Sequence, residues 1–181
     1  MERLYQKMAR APVVGLALVL SVVAFVAFAY FDQARPPGTP GVVALQLAFS
    51  TEAFRNILIQ WGTSGVQAYR VSTLSVDSWF PIAYALLFAS LIAVLTYQPD
   101  KAVSKSHLAL FGLPFFAMLL DWMENALHLI LLRDPSHLSP SLVLIASLAA
   151  AIKWGIIAFS ILVVLYFFAQ RIRARLVRRG T

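Results

Sequence analysis

Four polar side chains lie within eight residues of one another in a stretch that is otherwise apolar: Asp121, Glu124, Asn125 and His128. On an α-helix with 3.6 residues per turn, these positions project within one arc of about 100°. We call them the polar stripe. Two carboxyls beside an imidazole suit acid–base chemistry or the binding of a cationic or hydroxylated ligand. An ionised side chain at the centre of a bilayer costs at least ~2.5–3.5 kcal/mol, so the stripe must face the protein interior and have partners.

Lys153 is the expected partner of the polar stripe. The turn between the two apolar stretches that carry Lys153 and Asp121 is centred near residues 136–137. In an antiparallel helical hairpin, residues equally far from the turn reach nearly the same depth. Lys153 is therefore predicted to pair with Asp121, Glu124 or both. One carboxyl then lacks a matching charge, and a proton, a metal ion or a ligand could fill that gap.

Three interpretations of the polar stripe compete. It is a buried polar network that fixes helix register, a ligand-binding or catalytic pocket, or a metal site. For a metal, Glu124 and His128 stand at i and i+4 with Asp121 beside them. The metal signal is weak, because no second group of histidines or carboxylates lies within the apolar stretches. Cysteine is absent, which excludes thiolate metal sites and thiol catalysis, and no cofactor is indicated.

The composition indicates that the solvent around this chain is lipid. Hydrophobic residues make up 60% of the 181 residues and charged residues 13%, against roughly 45–50% and about 25% in soluble domains. Four apolar stretches approach or exceed the about 20 helical residues that cross a hydrocarbon core: 11–31, 80–97, 108–132 and 142–168. The prediction is an all-α membrane protein, a single domain built as a four-transmembrane-helix bundle.

Residues 32–77 form the one long connection in this prediction. Residues 36–41 are rich in proline and glycine, and residues 42–49 are apolar but too short to span. Ser50 and Thr51 are plausible caps for a helix that ends at Trp61-Gly62. Its apolar residues recur at i, i+3, i+4 and i+7: Phe54, Ile57, Leu58 and Trp61. This pattern predicts an amphipathic helix on the outer side of the bundle, as a packing cap or as a lid over a pocket.

Further residues are candidates for the outer-side lining of such a pocket: Asp32, Arg55, Asn56, Trp61, Asp77 and Tyr84. Asp32 ends the first span and Asp77 precedes the second, both on the side toward which His128 points. For Asp77, a role in starting the helix is the preferred interpretation. Tyr84 can form hydrogen bonds across helices.

The placement of basic residues predicts the orientation. Ten lysines and arginines fall on the side of the two termini: Arg3, Lys7, Arg10, Lys101, Lys105, Arg171, Arg173, Arg175, Arg178 and Arg179. Only four fall on the opposite side: Arg35, Arg55, Arg70 and Arg133. By the positive-inside rule, both termini are cytoplasmic. The net charge of +7 is therefore interpreted as an orientation signal, and nucleic acid is not expected as a partner.

Three short patterns carry a resemblance to known proteins. They are Ile57-Leu58-x-x-Trp61-Gly62, Asp77-x-x-Phe80-x-x-x-Tyr84 and Asp121-x-x-Glu124-Asn125. Together they resemble a family of uncharacterised bacterial four-span membrane proteins, over most of residues 45–132. The resemblance implies a multi-pass protein of the bacterial inner (plasma) membrane and carries no activity.

A second resemblance is to the emopamil-binding protein and sigma-2 receptor superfamily. Asp32 and the segment 54–58 after it look like the sigma-2 receptor pattern. That superfamily has four or five spans and binds or isomerises sterol-like amines in an acid-lined intramembrane pocket. Where it carries a carboxylate in the second span, this chain has Leu87, and the acids here lie in the third span instead. The pocket chemistry therefore does not carry over residue by residue.

Three functions are consistent with these features. The first is binding of a small hydrophobic or lipid-like ligand in a buried acidic pocket, with proton transfer as a conceivable chemistry. The second is a non-catalytic accessory subunit, in a homo-oligomer or a larger membrane complex, which predicts an exposed apolar or small-residue face that packs against another protein, such as Ala146, Ala149, Ala150 and Gly155. The third is a proton-coupled small-molecule transporter. A cavity that reaches Asp121 and Glu124 would favour the first, and a fully packed polar network the second.

Overall fold

The computed structural model describes residues 1–99 and 102–179, with side chains through residue 176 within those ranges. Lys101, which counts toward the predicted orientation, lies outside the described residues, as do the side chains of Arg178 and Arg179.

The described residues form seven helices, and no strand occurs among them. The helices are α1 (Glu2–Met8), α2 (Ala11–Asp32), α3 (Val42–Gln46), α4 (Thr51–Leu74), α5 (Val76–Thr96), α6 (Lys105–Leu131) and α7 (Pro140–Arg179). Four helices in this part of the chain, α2, α5, α6 and α7, are long and apolar enough to cross a membrane. The predictions of an all-helical chain and of four helices of spanning length are confirmed.

The helix bounds differ from the predicted ones mainly where polar residues extend an apolar stretch. α5 begins at Val76 rather than at residue 80 and carries Pro81 within it. α7 continues beyond residue 168 through the arginine-rich segment, because arginine is a good helix former even where it is too polar for lipid. α1 was not predicted. Ser50 and Ser104 cap α4 and α6 through hydrogen bonds from the backbone N–H of Ala53 and His107.

α4 is longer than the helix predicted for this connection. The backbone breaks at Gly62, where φ is 63° and ψ is −176°, as the predicted end at Trp61-Gly62 implies. Glycine adopts this left-handed φ without the steric cost that a side chain would bring. The prediction is wrong about the residues after Gly62, because the chain resumes a helix there and continues to Leu74.

The long helices run between two ends that we name by the short elements there. At the α4 end, buried residues of α3 and α4 pack with Leu131, Leu138 and Val143, around the turn between α6 and α7. At the α1 end, Tyr5 and Met8 pack against α5 and α6. Between these ends α6 packs most extensively against α7 and α5, while α2 packs mainly on α5.

The small residues of α7 serve this internal packing. Ala146, Ala149 and Ala150 are all buried within the chain itself. The accessory-subunit hypothesis gave them as examples of an exposed apolar or small-residue face. For these three residues that placement is wrong, because the alanines let neighbouring helices approach α7 closely. Of that set, only Gly155 is exposed.

Candidate functional site: a cavity that ends on the polar stripe

The polar stripe faces the protein interior and meets Lys153 there. Asp121 is 3% exposed, Glu124 0% and Lys153 2%. The Lys153 Nζ lies 2.9 Å from Oδ1 of Asp121 and 2.6 Å from Oε2 of Glu124. The predicted pairing is confirmed for both carboxyls, because α6 and α7 form an antiparallel hairpin that brings these residues to one depth.

One part of the stripe is sealed from solvent by α4. The Tyr69 hydroxyl lies 2.6 Å from Nδ1 of His128, and the Phe54 ring lies 5.4 Å from the imidazole, centroid to centroid. Glu124 and His128 have no exposed surface, and 3.9 Å separates the Glu124 Oε1 from His128 Nδ1. We call Tyr69, Glu124 and His128 the sealed cluster. Of the three, only Tyr69 also reaches the lining of the cavity described below.

Tyr69 belongs to α4, outside the four candidate spans. Removal from water raises the pKa of its hydroxyl well above the ordinary value, and the charge of Glu124 raises this pKa further. The hydroxyl is therefore neutral, and it shares its hydrogen bond with His128 according to the imidazole tautomer.

Asn125, the remaining member of the stripe, connects α6 to α5. Its Nδ2 donates a hydrogen bond of 3.2 Å to the backbone carbonyl of Asp77. That carbonyl is in the first turn of α5. The contact therefore fixes the start of α5 against the polar stripe and places the Asp77 side chain near Asp121.

A cavity of about 590 Å³ lies beside the stripe, between α2, α5 and α7. Ligand pockets of proteins commonly measure about 300–1,000 Å³. Its polar lining comes from several helices: Ser21, Asp32, Arg35, Gln46, Tyr69, Ser72, Asp77, Tyr84, Asp121 and Lys153. Most of the remaining lining is aromatic or aliphatic: Phe25, Phe28, Phe31, Val42, Val43, Phe80, Leu87, Phe88, Trp154, Ile157 and Ile161.

The cavity meets the polar stripe at Asp121. The Tyr84 hydroxyl donates a hydrogen bond of 3.1 Å to Oδ2 of Asp121, while Oδ1 accepts one from Lys153. Asp77 lines the same region. Two carboxyls, an ammonium and a phenol therefore border one space, which is the chemistry expected for holding a cationic or hydroxylated group.

Aromatic rings form one wall of the cavity. The Phe80 ring contacts Phe25, Phe28 and Tyr84 edge to face, at centroid distances of 5.4, 5.3 and 5.4 Å. The two pairs with Phe25 and Phe28 join α2 to α5, and the pair with Tyr84 lies within α5. On the opposite side, the Trp154 indole of α7 donates a hydrogen bond of 3.0 Å to Oε1 of Gln46 in α3.

The segment between α2 and α3 closes the cavity at the α4 end. The carbonyl of Pro40 accepts hydrogen bonds of 2.7 Å from both Arg35 Nη1 and Trp61 Nε1. Arg35 also pairs with Asp32 at 2.6 Å and lies over the Trp61 ring. This close packing requires a glycine at position 65, since a Cβ there would come within 2.9 Å of the Trp61 Cβ.

The residues predicted for the outer-side lining divide into two groups. Asp32, Asp77 and Tyr84 line the cavity. Trp61 does not line it. Its side chain is buried against the segment between α2 and α3, where the indole donates a hydrogen bond to the carbonyl of Pro40. Arg55 and Asn56 are exposed on the far face of α4, where Arg55 donates a hydrogen bond to the carbonyl of Ser136. These last three residues are not part of the lining of this cavity.

The residues predicted for the pocket itself divide in the same way. Asp121 and Lys153 border the cavity, whereas Glu124, Asn125 and His128 lie behind them. Among the described residues, no group of three or more His, Cys, Asp or Glu side chains is arranged to hold a metal ion. The Glu124–His128 pair that suggested a metal contacts Lys153 and Tyr69 instead.

Tyr69 and the aromatic residues of α2 were not singled out in the sequence. For Tyr69 the signal is its spacing, because Gly65, Tyr69 and Ser72 recur at i, i+4 and i+7, which places them on one helical face. The structure shows all three buried on α4. For Phe25 and Phe28 there is none, since α2 is apolar around its whole circumference. Comparisons with family models, with curated proteins and with solved structures find no match to this chain.

Proposed function

We propose that this chain is an integral membrane protein that binds a small hydrophobic or lipid-like ligand in the cavity beside the polar stripe. The observation that carries this proposal is the combination of an aromatic and aliphatic cavity of about 590 Å³ with a polar region formed by Asp77, Asp121 and Lys153. A cavity needed only for packing would not retain carboxyls at its surface, because burying them is costly.

The charges favour a ligand with a cationic or hydrogen-bond-donating group. Two carboxyls, of Asp121 and Glu124, contact the ammonium of Lys153, and a third, of Asp77, lines the cavity that Asp121 and Lys153 border. With all of them ionised, the site carries an excess of negative charge in a medium of low dielectric. An ammonium or hydroxyl group between Asp77 and Asp121 would reduce that excess. Proton transfer at Asp121, which Tyr84 and Lys153 hold in place, is a compatible chemistry.

The architecture in this proposal is a four-helix bundle whose α4 end carries the amphipathic segment. Its predicted apolar face is buried, and Arg55 and Asn56 on the other face are exposed. With both termini cytoplasmic in a bacterial inner membrane, the α4 end would face away from the cytoplasm. Two of the three patterns behind the bacterial resemblance also meet in space, since the Tyr84 hydroxyl donates a hydrogen bond to Asp121 and Asn125 donates one to the carbonyl of Asp77.

The test is mass spectrometry of small molecules that copurify with the protein. Leu87→Trp places a larger side chain in the cavity from α5 and leaves every charged residue unchanged. Leu162→Trp makes the same substitution on the exposed face of α7 and serves as the control. We expect a copurifying hydrophobic molecule in the wild type and in Leu162→Trp, and its loss in Leu87→Trp. If both variants retain the same molecule, or if the wild type carries none and takes up no long-chain amine or alcohol, the proposal is wrong.

A further inference from the structure

The cavity is open along the side on which α2 and α7 face each other. Each of these helices packs on α5, yet within residues 1–99 and 102–179 they make almost no contact with one another. Phe25 of α2 and Ile161 of α7 both line the cavity and are 63% and 43% exposed. Because both helices are long and apolar enough to span a membrane, this opening faces lipid chains rather than water.

The α4 end of the same opening is closed by α3 and the segment after it. Gln46 of α3 bonds Trp154 of α7, and the backbone N–H of Phe49 donates a hydrogen bond of 3.0 Å to Ser147 of α7. On the α2 side, Arg35 and Asp32 form an ion pair. A ligand that came from the aqueous side would have to break these contacts, whereas one that came from the bilayer would not.

The polarity of the lining follows the depth of the membrane. Asp32, Arg35, Gln46 and Asp77 lie toward the α4 end. Toward the middle of the helices the lining is mostly apolar: Leu87, Phe88, Ile157 and Ile161. Ser21 is the polar residue at that depth, and its hydroxyl donates a hydrogen bond to the carbonyl of Ala17 in its own helix. Along α2 the lining runs from Asp32 to Ser21, about 16 Å at 1.5 Å per residue. That is close to half of the ~30 Å hydrocarbon thickness of a bilayer. The cavity therefore has the length and the polarity gradient of one leaflet.

We propose that the ligand is a single amphiphile from the leaflet at the α4 end, which enters sideways between α2 and α7. It keeps the orientation that it has in that leaflet. Its polar group lies at Asp77, Asp121 and Lys153, and its apolar part extends toward Leu87 and Ile161. This inference rests on the proposed function and adds the class of ligand, its orientation and its route.

The orientation can be tested with a long-chain alkylamine that carries a photoreactive diazirine either next to the amine or at the chain end. The protein is reconstituted in vesicles of phosphatidylcholine and phosphatidylglycerol, illuminated and mapped by peptide mass spectrometry. We expect the probe with the diazirine near the amine to label peptides around Phe31 and Val43, and the chain-end probe those around Leu87 and Ile161. The reverse order would overturn the proposed orientation, as would labelling confined to lipid-facing positions such as Val19 and Leu165.

The route can be tested by joining α2 to α7 across the opening. The chain contains no cysteine, so a bis-maleimide reacts only with the two thiols of a Phe25→Cys/Ile161→Cys variant. The control is the same variant capped with N-ethylmaleimide, which has identical substitutions and no bridge. We expect the bridge to slow transfer of the preloaded alkylamine to empty vesicles by about tenfold or more, as closure of a gate does. An unchanged rate would overturn entry between α2 and α7.

The two proposals fail in different ways. If the amine labels cavity residues in the wrong order, or if the bridge leaves its transfer unchanged, the cavity still binds and only the leaflet-oriented route is wrong. If neither probe labels any cavity residue in the wild type, and a cavity-filling Leu87→Trp variant gives the same labelling pattern, the proposed function is wrong as well.

Discussion

Asp121 and Glu124 lie one turn apart on the same face of α6 and share Lys153, yet they have different surroundings. Beyond Asp121 lies the cavity, bordered by Tyr84 and by the gap between α2 and α7. Around Glu124 lies the sealed cluster, which α4 covers with Tyr69. The difference comes from the neighbouring helix rather than from α6 itself. One polar stripe therefore contributes both a packed network and the polar part of a binding site.

This comparison shows why the two initial interpretations of the stripe, structural network and ligand pocket, are not exclusive. The network holds Lys153 with Glu124, and the same ammonium holds Asp121 at the cavity. Substitutions in the sealed cluster should mainly change stability. Substitutions at the cavity should mainly change binding.

The largest effect is expected for Lys153→Met, which removes the cation that both regions share. Breaking a buried ion pair by removing one partner typically costs 3–5 kcal/mol, and we expect a loss of roughly that size in the free energy of unfolding. Denaturant titration in detergent micelles measures it. The matched control is Leu162→Met, on an exposed position of the same helix. The triple variant Lys153→Met/Asp121→Asn/Glu124→Gln should recover most of the loss; if it is as unstable as the single variant, charge is not the cause.

A smaller effect is expected for Tyr69→Phe in the sealed cluster. The substitution leaves Nδ1 of His128 without its partner in a site that α4 covers, and an unsatisfied buried group costs about 1–3 kcal/mol. Tyr69 also lines the cavity, but its hydroxyl bonds His128 and phenylalanine keeps the ring. We therefore expect the free energy of unfolding to fall by this amount while binding of the alkylamine probe stays within twofold of the wild type. A large loss of binding without a loss of stability would mean that the Tyr69 hydroxyl serves the ligand rather than the packed network, and the two regions would not be distinct.

Tyr84→Phe is the same substitution at the cavity, and we expect it to cost less. The Asp121 carboxylate keeps Lys153 and can bind water or ligand in place of the phenol, so a value near the average of ~0.6 kcal/mol for hydrogen bonds in membrane proteins is expected. The two tyrosine variants are compared by denaturant titration under identical conditions. If Tyr84→Phe proves the more destabilising, the cavity is not accessible to water or ligand.

The smallest effect on stability is expected for Asp77→Asn, together with the clearest effect on binding. The backbone carbonyl that Asn125 bonds is unchanged by this substitution, and the side chain borders the cavity. We expect the free energy of unfolding of the ligand-free protein to change by less than about 0.5 kcal/mol. Binding of the alkylamine should weaken by about tenfold, measured by equilibrium partition between protein and vesicles, since a charge-assisted contact is lost. Equal binding by both proteins would remove Asp77 from the site.

Much of the fold could be predicted because its signals are local. The length of an apolar run is enough to identify a helix of spanning length. The position of Lys153 opposite Asp121 followed from counting residues on either side of a turn. The extension of α4 beyond Gly62 was missed, because a glycine at the end of an amphipathic run looks like a helix end, and here the chain turns once and continues.

The candidate site could be predicted only in part. The acid-rich stripe and Lys153 were found because ionisable residues are costly within an apolar stretch of spanning length and therefore indicate buried partners or a functional site. The aromatic wall on α2 was not, since Phe25 and Phe28 lie among similar apolar residues on every side of that helix. Trp61 and Arg55 were predicted as pocket lining, whereas the Trp61 indole bonds the carbonyl of Pro40 and the Arg55 guanidinium bonds the carbonyl of Ser136 in the α6–α7 turn.

The sequence by itself determined the all-helical class, the four helices of spanning length, the face of α6 that carries the acids and the position along α7 at which Lys153 meets them. These properties depend on helical periodicity and on distance along the chain, and both can be read from a single helix or hairpin without knowing its neighbours. Only the tertiary structure decided which acid borders a cavity and which is sealed. That choice depends on how α2, α4 and α7 lie around α5 and α6. A helix that is apolar on every side, such as α2, has no sequence pattern that marks which face packs against which neighbour.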